Sequence, residues 1–158
     1  MSASLIHDIV PIGSLVAWSD GTPPPPERHR KKLSVWKSRN SQGRLVRKCT
    51  GNTVGDRTYP ASFTLHESDL ASNGTIVMRV FRTFDLNSDL TFTVIERPPA
   101  GSVRIFSGPG DRADLVYLAE SRDAAAIWLT KHGYPNAVLE EVTADEAGVP
   151  TVERRAAA

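Results

Sequence analysis

Four consecutive prolines, Pro23 to Pro26, lead into a segment that no hydrophobic core can absorb. From Glu27 to Lys48 the chain reads ERHRKKLSVWKSRNSQGRLVRK, with nine Lys/Arg and no Asp or Glu after Glu27. The proline run favours polyproline II, a stiff spacer with no backbone N–H to offer a sheet. Lys and Arg are almost never fully buried without partners. Any fold must therefore carry this stretch on its outside, and the remainder of the chain reads as a scaffold that presents it.

The basic stretch divides at Gly43. Up to there a short helix is expected, opened by Pro26 and Glu27 in its first turn and stopped by Gly43. At 100° per residue His29, Leu33, Trp36 and Asn40 share one face, a narrow apolar stripe, and the cations spread over the rest. A strand would bury no clear face. Residues 41–43 (SQG) are expected to turn, and Arg44 to Cys49 to form a strand.

Outside this stretch the pattern is that of a mostly antiparallel sheet. Leu5 to Ser19 is broken by Pro11 and Gly13 into a short first segment and a strand over 14–19. Residues 50–56 (TGNTVGD) read as a loop. From Thr58 the period falls to two, with Tyr59, Ala61, Phe63 and Leu65 on one side. Residues 68–74 (SDLASNG) read as a turn. Two further strands, 75–84 and 90–96, are expected to form a β-hairpin through Asp85 to Asp89, with Asn87-Ser88 at its centre. Pro98, Pro99 and Gly101 end it, and a short strand follows from Val103 to Phe106. In the last third strand and helix alternate, with a strand over 115–119, a helix capped by Ser121 with Asp123 in its first turn, and a strand over 137–142. The fold class expected is α+β, with about six strands, a C-terminal helix and a short basic helix. Residues 1–142 form one domain in this reading, and 143–158 a frayed or disordered tail.

The net charge of +1 conceals an asymmetry. Residues 1–109 carry fourteen Lys/Arg against nine Asp/Glu, and residues 110–158 five against nine. The acidic part includes Asp111, Asp114, Glu120, Asp123, Glu140, Glu141, Asp145 and Glu146, and offers a surface for a protein partner or a second copy. Cys49 is the only cysteine, so an intrachain disulfide is excluded. No apolar run approaches the ~20 residues that span a bilayer, and the N-terminus lacks the charged and apolar regions of a signal peptide. A cytoplasmic location without membrane contact is the expectation.

Chemistry is sparse. The histidines are His7, His29, His66 and His132, in no HxxxH or HxH spacing, and no CxxC occurs. His66-Glu67 with Asp69 is the only acid–base cluster, and on a strand the first two point to opposite faces. Cys49 has no histidine base tied to it by spacing. Residues 108–114 (GPGDRAD) lack the phosphate-loop lysine and glycine spacing, and Ser14 lacks the context of a nucleophile elbow. No metal or cofactor is implied.

These observations lead to a non-enzymatic accessory protein that binds nucleic acid, DNA or RNA, or another polyanion. Arg28, Arg30, Lys31, Lys32, Lys37, Arg39, Arg44, Arg47 and Lys48 would hold phosphates, and Trp36 would either stack on a base or anchor the helix. A protein-interaction or self-associating module is the rival expectation, and a small enzyme using His66, Glu67 or Cys49 the third.

Overall fold

Asn73 and Gly74 both adopt positive φ, 52° and 79°, the geometry of a two-residue hairpin turn. In the computed structural model, which describes residues 1–147, this turn joins β5 (Ser62–Ser72) to β6 (Thr75–Asp85), each of eleven residues. The pairing runs from Ser62↔Asp85 to Ser72↔Thr75, with irregularities at Glu67 and Val77. Residues 68–72, expected as turn, are therefore strand. The expected hairpin between residues 75–84 and 90–96 does not form. β6 pairs only with β5, whereas β7 (Thr91–Glu96) pairs with β1 (Leu15–Ser19). Asn-Gly supplies positive φ at little steric cost, which Asn87-Ser88 does not, so the tight turn forms at the former.

β1 also pairs with β2 (Ser41–Cys49), and β2 with β5, all antiparallel. The sheet order is β6-β5-β2-β1-β7, five strands rather than about six. Residues 86–90 connect the two opposite edge strands, which requires the sheet to curl until its edges approach. The core shows the closure. Phe84 of β6 lies 5.2 Å from Phe92 of β7, and Trp18 and Phe63 complete an aromatic quartet. The N-terminal segment is a helix, α1 (Ala3–Ile9), whose Ala3 and Ile6 join this core with Val10. The Phe92 N–H donates to the Met1 carbonyl at 2.9 Å, tying the segment to β7.

Two insertions interrupt the sheet. α2 (Arg30–Arg39) lies between β1 and β2, starting later than Pro26 and ending before Gly43. Glu27 sits outside the helix, in a turn closed by the His29 N–H on the Pro26 carbonyl at 2.9 Å. β3 (Asn52–Val54) and β4 (Arg57–Tyr59) form a small exposed hairpin. β3 falls where a loop was expected, and β4 takes the start of the strand expected from Thr58, which breaks at Pro60 and Ala61 before β5. Residues 41–43 are strand. Gly43 is needed there because a Cβ would sit 2.8 Å from the His66 carbonyl oxygen on β5.

The C-terminal third follows the expected order. β8 (Val103–Phe106), β9 (Leu115–Ala119), α3 (Arg122–Lys131) and β10 (Val138–Glu141) make a separate antiparallel sheet ordered β10-β8-β9. The Ser121 hydroxyl accepts from the Ala124 N–H at 3.1 Å, and Ala125 of α3 packs with Val103, Ile105 and Ala119. Residues 144–147 turn back toward this sheet, and residues 148–158 of the expected tail lie outside the described part. The architecture is α+β and predominantly antiparallel.

Replacing Gly43 by Ala should destabilise the protein by ~1–3 kcal/mol, the usual cost of overpacking. Urea unfolding of G43A at an unchanged midpoint would show that β2 and β5 do not approach as described.

Candidate nucleic-acid interface

α2 has no buried residue and is held from its C-terminal half. The Trp18 indole N–H donates to the Ser38 carbonyl at 3.1 Å, joining the helix to the aromatic core. Trp36 is half-buried and its indole N–H donates to the Thr22 carbonyl at 3.0 Å, so it fastens the proline-rich segment against the helix. Asn40 ends the helix, donating to the Trp36 carbonyl at 2.9 Å and to Asp20 at 3.1 Å while accepting from the Ser19 hydroxyl at 2.7 Å. Hydrogen bonds from the Thr22 hydroxyl and backbone N–H, with help from Asn40, hold the Asp20 carboxyl far below its ordinary pKa. Arg39 bridges Asp20 at 3.3 Å and Asp89 at 3.2 Å.

The other end of the helix has no such support. Its N-cap, His29, makes no side-chain capping bond, and the first turn contains no acid. Arg30, Lys31 and Lys32 instead place cations at the positive end of the helix dipole, where an anion is favoured.

The basic stretch does not fold into one patch. Arg44 donates to the Gly13 carbonyl at 2.6 Å and Arg47 pairs with Asp114 at 3.1 Å. Lys48 is half-buried, and burial lowers its pKa although Asp8 and Glu146 oppose that shift. These three lie on β2, whose pairing with β1 and β5 carries them away from α2. Arg39, Arg44 and Arg47 are thus engaged within the fold, and Lys48 is half-buried. Arg28, Arg30, Lys31, Lys32 and Lys37 are exposed and, among the described residues, have no carboxylate within the 4.0 Å of an ion pair.

One face of α2 borders a groove of about 440 Å³ opposite the β5–β6 ribbon. Arg30, Leu33, Ser34 and Lys37 form one side, and Glu67 and Arg82 the other. Glu67 is neutralised by Arg82 Nε at 2.8 Å. Sequence reasoning alone singles out neither Arg82 nor Ser34. The available signal is the alternation on β6, where Val80, Arg82 and Phe84 are half-buried between exposed neighbours.

The acid–base candidates do not converge. His66 bonds Asp69 at 2.6 Å and Glu67 bonds Arg82, while Cys49 pairs with Ser62 at the far end of the β2–β5 register from His66. Among the described residues no group of three or more His, Cys, Asp or Glu could hold a metal ion. No described helix is long and apolar enough to cross a membrane. A larger cleft of about 850 Å³ lies between the β3–β4 hairpin and the loop at Asp111-Arg112.

Residues 1–146, which include every element above, match the family described as uncharacterised conserved protein UCP036055. The chain belongs to this family. No curated protein and no solved structure matches it.

In this family member much of the acidic third is engaged internally. Arg104, whose side chain is 4% exposed, pairs with Glu140 at 2.9 Å and Glu146 at 2.6 Å. Asp114 meets Arg47, and Glu141 approaches Arg122 at 3.7 Å. Burial acts against the charged form of Glu146, but the Thr143 backbone N–H and Arg104 together outweigh it and lower its pKa. A carboxylate depressed in this way contributes stability above its unfolded pKa of ~4.3 and loses it as pH falls toward the folded value. The double variant E140Q/E146Q leaves a buried guanidinium without counter-charge and should lose about 3 kcal/mol in urea unfolding at neutral pH. Its stability should also fall less steeply than wild type on acidification below about pH 4.5. Parallel pH–stability curves would contradict the Arg104–Glu146 pairing.

Proposed function

We propose that the protein is a non-enzymatic binder of nucleic acid or a related polyanion and that α2 is its contact element. The observation that carries this reading is the set Arg28, Arg30, Lys31, Lys32 and Lys37, exposed together and without ion-pair partners among the described residues. Cations held near one another repel, and a phosphate backbone relieves that repulsion while releasing its counterions. The dipole acts in the same direction, since an anion beside the first turn replaces the acidic residue that α2 lacks. Trp36 serves here as an anchor, because its indole N–H is committed to Thr22. Arg39, Arg44, Arg47 and Lys48 fall outside the contact set.

The variant R30A/K31A/K32A/K37A should elute from heparin at lower salt than wild type. Its log–log salt dependence on DNA should become shallower by about one per lost phosphate contact. R47A serves as contrast: it breaks a pair with Asp114, so it should lower the unfolding midpoint and leave the slope as it was. Unchanged retention of the quadruple variant would remove this reading.

A second reading has its own observation. β6 is an edge strand whose first four residues carry no charge, and Leu70, Ile76, Val77 and Met78 are exposed on the ribbon it forms with β5. An edge of this kind invites pairing with another strand. Self-association through it would survive high salt, whereas polyanion binding would not, and light scattering across a salt series distinguishes them.

A further inference from the structure

The groove between α2 and the β5–β6 ribbon has a charged side and an apolar continuation. Resting on the polyanion reading, we propose that it takes a single strand of nucleic acid, phosphates along α2 and unpaired bases against the ribbon. On α2, Arg30, Ser34 and Lys37 recur at the spacing of one helical face, and this face borders the groove. Across from it Arg82 is half-exposed and holds Glu67, the one carboxylate among the groove residues. Three cations against one carboxylate leave the groove at +2. Its volume of about 440 Å³ falls within the ~300–1,000 Å³ typical of small-ligand sites, and a double helix is far too broad to enter.

The ribbon explains why bases belong there. On β6 the residues sharing Arg82's face are Val80 and Met78, and Leu70 is the cross-strand partner of Met78. Leu70 and Met78 are both about half exposed, at 49% and 51%, and no acid lies between Ser68 and Val80 on this face, because Asp69 pairs with Arg79 across the other. Unpaired bases present broad apolar faces, and a methionine thioether packs well on aromatic rings. A duplex hides those faces and shows only phosphates to the ribbon, so it gains nothing from Leu70 and Met78. Lys31 and Lys32 point away from the groove by helical phase and are left to contact phosphates outside it.

The test is fluorescence anisotropy with an oligothymidylate and a duplex of equal length, titrated over a salt series with full-length protein. The single strand should bind more tightly. R30A/K37A should make its salt slope shallower by about 1.4, from ~0.7 per single-strand contact, and K31A/K32A should change it less. M78S, at an exposed site, should weaken the single strand and leave the slope in place, with an unchanged thermal midpoint confirming the fold. Equal affinity for duplex, or a K31A/K32A loss as large as that of R30A/K37A, would overturn the groove while the polyanion reading survives. Salt-dependent binding to neither oligonucleotide would overturn both.

Discussion

Phe84 and Phe92 belong to strands on opposite edges of the same sheet, and their rings meet at 5.2 Å. That contact is the constraint on which the rest of the molecule depends. An antiparallel sheet twists, and this five-stranded sheet curls far enough for a five-residue link to join the two edges. The aromatic rings fill the space enclosed by the curl, where each contributes hydrophobic burial and the Phe63–Phe92 and Phe84–Phe92 pairs add favourable edge-to-face geometry. Trp18 extends this core outward. One side of its ring packs on Phe84 at 5.2 Å, and its N–H holds Ser38 of α2. The placement of the exposed basic helix is thus an indirect consequence of how the sheet closes.

The charge asymmetry between the two parts of the chain finds a structural meaning in the seam between the curled sheet and the C-terminal sheet. Arg47 reaches across to Asp114, and Arg104 is enclosed with Glu140 and Glu146. An enclosed guanidinium is strongly unfavourable unless carboxylates accompany it. The Arg104 pairs meet that need within the C-terminal sheet and the turn after it, whereas Arg47–Asp114 links β2 to the residue before β9. Within the basic stretch, the exposed cations that escape this neutralisation are Arg28, Arg30, Lys31, Lys32 and Lys37, on and beside α2. These cations follow the proline run and are exposed.

α2 itself is a helix of modest intrinsic stability. Lys and Arg favour helix, yet three of them crowd the positive end of the dipole with no acid or side-chain cap to offset them. The compensating contacts are all at the other end, through Trp36, Ser38, Arg39 and Asn40. The fold thus holds a locally unfavourable charge distribution at the start of α2.

Local chemistry was enough to establish the elements whose determinants lie close together along the chain. Ser121 and Asp123 announce α3, the short runs 103–106 and 115–119 announce β8 and β9, and the cations after Pro26 announce an exposed helix. Strand partnership is another matter, because it depends on residues far apart and on the closure of the sheet. The period of two in residues 75–84 and 90–96 was legible, but nothing local showed that these strands lie on opposite edges. The same holds for the interface. Nine cations within one stretch look equivalent in sequence, and only tertiary structure separates those half-buried on β2 from those exposed on and beside α2, because ion pairs such as Arg47–Asp114 join positions that only folding brings together.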